Sequence, residues 1–424
     1  MSLLAGVEPG LSLGPSSAVG FLFLGVVLVI AIGALSHAKE RAFSASIIYL
    51  ALGIAAGVTM RVTGFGTVLD PRGNPDALEY LTSGALAIAL FSAGLRIRRP
   101  LRLRTWSSPL RLLLVAMPLT ILAVAAWGRL AMGVGLGAAI ALGAALAPTD
   151  PVLAGDLGVR PPLEEDEDAS EPEFALSVEA GANDGLALPF LVLGLVVAGE
   201  EHGYARWVGL DLVYPLVVSV LLGGLLGYGL GWALLRLRAA ELVDQELDRW
   251  LGIGAALALF GAAEAVGGYG LIAVFAGGIG FRRHESDHSL NRDVHDGGEV
   301  LKNFGELAVI LVLGTMLGLA SPNAPGLWGW LLVPLLLLVI RPLSVALSLL
   351  PTSMRPREVA WIGWFGVKGV ASINYLAIAL VSKAFLREDN ATLSWTILFT
   401  VAVSILVHGV TSHPLTERLL GAEE

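Results

Sequence analysis

The chain contains no cysteine among its 424 residues, so disulfides and thiolate metal sites are excluded. Charge is scarce as well: Asp, Glu, Lys and Arg make up 15%, against roughly 25% in an average soluble domain. No Lys or Arg precedes the first apolar run, which argues against a secretory signal with a basic leading segment and for counting that run as a span. Gly-x-Ser-Gly does not occur, and the one His-Glu-x-x-His string, His284-Glu285-Ser286-Asp287-His288, falls in the charged loop after the ninth run rather than on a span, so an enzyme is not expected. What is present is hydrophobic residues at 55%, a mean hydropathy of +0.75 and 52 glycines. Small residues let helices approach closely in lipid, where no hydrophobic force draws them together. The apolar runs are continuous, without the alternation of a lipid-facing barrel strand, so an all-α polytopic membrane protein is expected.

About 13 transmembrane helices follow from the hydropathy, at 17–36, 43–60, 78–95, 109–128, 132–155, 174–198, 210–235, 250–266, 268–281, 301–320, 326–350, 359–384 and 391–414. The ninth run is short for the ~30 Å hydrocarbon core. With the C-terminus cytoplasmic, nineteen of the 27 Lys and Arg lie on inner segments and six on outer ones. That bias predicts an N-terminus outside and a C-terminus inside a cell membrane. Spans 4 to 6 then start inside and spans 11 to 13 outside, the pattern of inverted repeats. The middle member of each unit is interrupted, by Pro148-Thr149-Asp150-Pro151 and by Gly366-Val367-Lys368-Gly369. Proline lacks a backbone donor and glycine weakens a helix, so both spans should break at membrane depth, where a transporter places its substrate.

Ionisable residues inside spans are costly and mostly functional. Asp150 at the first break can compensate an exposed N-terminal helix end, and Lys368 at the second an exposed carbonyl end. On span 6, Glu179 and Asn183 share a face while Asp184 is turned by about 100°. Arg341 is the permanent cation of span 11, and Glu179 is its expected partner. Asp184 is left as the acid without a fixed cation. Such a carboxylate can hold a proton or a small alkali ion but not both, which is the simplest basis for exchange. The Thr149 oxygens and the Asn183 amide could complete an oxygen shell for a monovalent cation at Asp184 and Thr149.

These segments resemble the sodium/proton exchangers of the monovalent cation:proton antiporter-1 family. Ala147-Pro148-Thr149-Asp150-Pro151 is similar to its Ala-x-Thr-Asp-Pro break, and Glu179-x-x-x-Asn183-Asp184 to its Glu-x-x-x-Asn-Asp signature. Phe91 to Leu95, Phe304-Gly305-Glu306, Arg341-Pro342, Gly366 to Gly369 and Val407-His408-Gly409-Val410-Thr411 follow in family order. The resemblance implies two crossed discontinuous helices in a sodium/proton antiporter-like fold. It implies a core of residues 109–199 and 322–424, dimerisation helices in 1–108 and 250–321, a linker in 200–249, and a homodimer in the lipid with elevator-like movement. It further implies Asp184 as the ion and proton carboxylate, Thr149 as neighbouring ligand, Asn183 as supporting amide and a Glu179–Arg341 pair. Asn183 stands where electrogenic relatives have Asp, which implies electroneutral exchange. Relatives commonly carry Arg at the position of Lys368, some a carboxylate at Ser92, and often Ser at Ala180. Ser92 is therefore a possible additional lining residue.

The expected activity is monovalent cation/proton antiport, sodium being favoured over potassium, with no cofactor and no nucleic-acid partner. A non-transporting ion-sensing receptor is the alternative from another class. The acidic run Glu164 to Glu173 and the loop histidines His284, His288 and His295 read as solvated segments, with gating and pH sensing as the sharper alternatives.

Overall fold

The computed structural model describes residues 45–63, 75–97, 99–100, 102–150, 170–199, 203–240, 248–284, 305–319 and 325–419. Among them every regular element is helical. The chain runs through α1 (Ala45–Thr63), α2 (Pro75–Arg96), α3 (Ser107–Leu130), α4 (Leu136–Leu146) and α5 (Glu171–Ala198). It continues through α6 (Tyr204–Ala239), α7 (Asp248–Ala265), α8 (Gly270–Phe281) and α9 (Gly305–Gly318). The last elements are α10 (Leu327–Leu349), α11 (Pro356–Trp364), α12 (Val370–Ser382) and α13 (Arg387–Leu419). Helices α2, α3, α5, α6, α10 and α13 are long and apolar enough to cross a membrane. The protein is a helical polytopic membrane protein. The expected span at 17–36, residues 164–169 of the acidic run, His288 and His295 lie outside the described residues, and His284 closes a short turn over Arg282–His284.

Several spans differ from their hydropathy limits. Of the fifth, read as 132–155, residues 132–150 are described, and these are helical over Leu136–Leu146; positive φ at Gly133 (74°) delays the start, and Pro148 follows its C-cap residue Ala147. The twelfth, read as 359–384, is two helices, α11 and α12, with residues 365–369 non-helical between them. The sixth starts earlier, at Glu171, because Ser170 caps it: both its main-chain N and its hydroxyl donate to Glu173 Oε2, at 3.2 and 2.8 Å. It also turns at Ala187, two residues before Pro189, which has no N–H to continue the ladder.

Proline leaves a second mark. The wide π turns Leu112–Ala116, Trp207–Val213 and Leu336–Ile340 each end two residues before a proline, Pro118, Pro215 and Pro342. Widening the turn gives the ring room and moves a carbonyl to a more distant donor. Two of these turns sit in α3 and α10, the opening helices of the two three-helix units. In α10 the turn delivers Arg341 as its next residue.

Helices meet backbone to backbone at glycine pairs. A Cβ on Gly94 of α2 would stand 2.4 Å from Phe275 O of α8, and one on Gly278 of α8 2.4 Å from Phe91 O. Between α4 and α5, a Cβ on Gly137 would meet Gly194 O at 2.3 Å. Contact this close leaves no volume for a methyl group. Gly137→Ala should therefore lower stability by about 1–3 kcal/mol, read as thermal unfolding of the purified protein in detergent. Gly224→Ala, where nothing lies within 4 Å, should leave the unfolding temperature at or above that of the parent.

Candidate cation and proton site

The two breaks touch. Asp150 N donates to Val367 O at 2.9 Å, joining the main chain after α4 to the main chain before α12. At the carbonyl end of α4, Lys368 Nζ donates to Ala147 O at 2.9 Å and to Pro148 O at 3.0 Å. At the amide end of α12, Val370 N donates to Asp150 Oδ2 at 2.9 Å. Each break thus supplies the charge that the other's open helix end requires: a cation on orphan carbonyls, a carboxylate on an orphan amide. Lys368 is fully buried and Asp150 is 3% exposed, so water does not take over either task. A side chain at Gly369 would collide with this arrangement, since its Cβ would stand 2.0 Å from Asp150 Oδ2.

Glu179 on α5 and Arg341 on α10 form a second neutralised unit. The guanidinium donates through both terminal nitrogens, to Oε1 at 2.6 Å and to Oε2 at 2.7 Å, with both side chains at most 2% exposed. The bidentate fork matches the planar carboxylate and holds α5 to α10 at membrane depth.

Asn183 lies about one turn further along α5, with Asp184 next to it. Asn183 Nδ2 donates to Thr149 Oγ1 at 2.8 Å, which ties α5 to the first break. Its Oδ1 is buried without a hydrogen bond, and so are both carboxylate oxygens of Asp184. Asp150 and Lys368 lie within electrostatic reach of Asp184, one carrying like charge and the other opposite charge. Three unpartnered oxygens thus sit on consecutive residues beside an opened backbone. A carboxylate with no donor at full burial requires either a bound proton or a bound cation. Ser92 is buried on α2, but no hydrogen bond joins it to this cluster.

The structure adds contacts that hydropathy and charge do not signal. The Tyr375 hydroxyl on α12 donates to the main-chain oxygen of Asp184. The neighbouring Asn374 donates through Nδ2 to Thr82 Oγ1 and Ser83 Oγ on α2, each at 2.8 Å. Gly181 and Gly185 form a notched face beside Asp184 that admits the α8 side chains: a Cβ on them would lie 2.4 Å from Phe275 Cε2 and 2.2 Å from Ile272 Cγ1. An apolar wall from α8 thereby stands one residue from the free carboxylate.

With two caps, a neutralised pair and one unpartnered acid at crossed helix breaks, the matching family can be given. The sodium/hydrogen exchanger transmembrane family model covers residues 16–418. The chain belongs to that family. It is 25% identical over 409 residues to Na(+)/H(+) antiporter 2 of Zygosaccharomyces rouxii, covering 83% of this chain and 48% of the yeast protein. It is 29% identical over 398 residues to the K(+)/H(+) antiporter NhaP2 of Shewanella sp. (strain MR-4), covering 92% of this chain and 65% of the relative. The chain therefore spans about half to two thirds of the length of these relatives. The sodium proton antiporter MjNhaP1 from Methanocaldococcus jannaschii at pH 8 has the same fold, with a TM-score of 0.74 and 19% identity over 96% of this chain and 100% of that one.

The buried pair makes a stability prediction. Glu179→Gln strands a guanidinium in the core and should cost about 3–5 kcal/mol. The double variant Glu179→Gln/Arg341→Met should lose less than the two single losses added together. Additive losses in a thermal double-mutant cycle would show that the two charges do not stabilise one another.

Proposed function

We propose that this protein is a monovalent cation/proton antiporter in which Asp184 carries a proton and a cation in turn. The observation that carries the reading is the division of labour among the buried acids. Glu179 is neutralised by Arg341, Asp150 holds the α12 amide end, and only Asp184 has both oxygens uncommitted among the three. With Asn183 and Thr149 beside it, the cluster offers hard oxygen ligands of the kind an alkali cation takes. Binding the cation releases the proton, because the same two oxygens serve both.

One titrating acid exchanging one proton for one monovalent ion makes the cycle electroneutral; Asn183 adds an amide where a second acid would add a second proton. Sodium is the primary expectation, and potassium is the second reading, favoured by the relatives named as K(+)/H(+) antiporters. The remainder of the reading is a homodimer in a plasma membrane, N-terminus outside and C-terminus inside. Residues 109–199 and 322–424 form the moving core, and 1–108 and 250–321 the scaffold, with 200–249 linking the two. The notched contact of Gly181 and Gly185 with Ile272 and Phe275 supports that division: it is an apolar contact between the two groups of helices, which meet elsewhere through Asn374 on Thr82 and Ser83, hydrogen bonds that a relative movement has to exchange.

The test is proton movement in proteoliposomes after pulses of sodium, potassium and lithium. Wild type should show cation-dependent flux, and Asp184→Asn should lose it by at least about a hundredfold. Retention of flux in Asp184→Asn would sink the assignment. An imposed membrane potential should leave the initial rate and final gradient unchanged; a potential-dependent gradient would overturn one-for-one exchange.

A further inference from the structure

Ser404 and His408 lie one turn apart on α13, at 0% and 1% exposure, against the second break. Lys368 N donates to Ser404 Oγ at 2.8 Å. His408 Nδ1 lies 3.1 Å from that same hydroxyl and 2.8 Å from Ser404 O, and His408 Nε2 lies 2.9 Å from Trp364 O. A hydroxyl has one hydrogen to give. Since Ser404 Oγ accepts from Lys368 N, its hydrogen is free for Nδ1, and a ring hydrogen on Nε2 then points at the Trp364 carbonyl; a ring hydrogen on Nδ1 goes instead to Ser404 O, the nearer of its two neighbours. That carbonyl is among the last of α11 and has no continuing helix to bond it. A neutral imidazole serves one of the two carbonyls, Trp364 O or Ser404 O, without adding charge next to Lys368, the charged group that faces it.

The consequence reaches the site through Lys368. Its ammonium stands at the end of a flexible four-carbon stem, so its place on Ala147 O and Pro148 O depends on where its own backbone is held. The preceding residue is fastened by Asp150 N to Val367 O, and Lys368 itself by Ser404. Two further ties keep α11 on α13: Trp364 Nε1 to Thr411 Oγ1 and Trp361 Nε1 to Thr416 Oγ1, both 3.2 Å. Those ties hold the fold of the half-helix; they do not touch residue 368.

We propose that Ser404 and His408 are positioning residues for cation/proton exchange, holding the Lys368 backbone so that its side-chain nitrogen stays on the carbonyls of the first break, beside Asp184. This rests on the antiporter reading of Asp184. Removing the Ser404 hydroxyl strands the Lys368 amide, fully buried, and the break must shift to find it an acceptor. A displaced ammonium releases the Ala147 and Pro148 carbonyls and lets the adjoining Thr149 move away from the Asp184 carboxylate, and a cation needs that neighbouring oxygen whereas a proton needs the carboxylate alone. Protons then compete better with the cation, so a given rate requires more cation or a higher pH.

The experiment measures exchange rates in proteoliposomes across cation concentration and pH for Ser404→Ala, Ser404→Thr, His408→Leu and His408→Gln. Sodium-dependent thermal stabilisation of each purified protein is measured alongside. Ser404→Ala and His408→Leu should raise the half-saturating sodium concentration about tenfold and move the half-maximal pH up by about half a unit. Ser404→Thr keeps the hydroxyl and His408→Gln keeps a donor for Trp364 O, so both should stay within about twofold of wild type. Rates that fall equally in Ser404→Ala and Ser404→Thr, with unmoved pH profile and half-saturation, would overturn the inference and leave a packing role only. Should His408→Leu fail to fold, Ser404→Ala alone carries the same decision. If wild type shows no flux, the antiporter reading fails by itself. In that case a tenfold higher sodium requirement for stabilising Ser404→Ala would still support positioning, and an unchanged requirement would overturn it.

Discussion

The reciprocal capping of two broken helices is the interaction on which the rest depends. Opening a helix at membrane depth leaves carbonyls at one end and amides at the other, and lipid offers them nothing. Here the ammonium of Lys368 sits on the carbonyls of Ala147 and Pro148, while the carboxylate of Asp150 takes the amide of Val370. Neither break is satisfied by its own chain segment; each is completed by the other. The two units must therefore come together before either interruption is stable, and the crossing point follows from that mutual need.

Neutralising the breaks in this way has a chemical consequence. If Asp150 were unbonded, two free acids would lie within electrostatic reach of each other, and the number of protons moved per cycle would be ambiguous. With Asp150 committed to Val370 and Glu179 to Arg341, the uncommitted oxygens of this region concentrate on Asn183 and Asp184. The structure separates acids that are bound to a partner from the one whose oxygens are left open. A buried bidentate pair such as Glu179 and Arg341 brings little net stability over an apolar pair, so its role is to specify which faces of α5 and α10 meet.

Around this polar centre the packing is made of small residues and prolines. Gly94 against Gly278 and Gly137 against Gly194 let main chains approach to the limit of contact, which substitutes for the hydrophobic drive absent in lipid. Prolines shape the helices in three ways: Pro148 follows the end of α4, Pro189 accompanies a turn within α5, and Pro118, Pro215 and Pro342 follow widened turns. The same residue type gives different outcomes because the neighbours differ. At Pro148 a lysine from the second break is ready to take the freed carbonyls; elsewhere the helix re-forms its own ladder.

Helical membrane character, the positions of the two interruptions and the buried charges at them are written in the sequence, because each rests on local composition: hydropathy over about 20 residues, proline and glycine, and the cost of charge in lipid. Ser170 and Glu173 carry the spacing of a helix cap, yet hydropathy alone begins this span at 174, because it does not register a polar first turn. Which charge meets which group is another matter. The sequence supplies the sign that each open end requires, but Lys368 finds Ala147 across 221 positions and Asp150 finds Val370 across 220. Tyr375 on the Asp184 carbonyl, Asn374 on Thr82 and Ser83, and the Ser404–His408 link to Lys368 leave no periodic or compositional trace, since one polar side chain on an apolar helix looks the same whether or not a partner faces it. Only the tertiary structure decides those pairings, because a hydrogen bond depends on distance in space and the sequence records only distance along the chain.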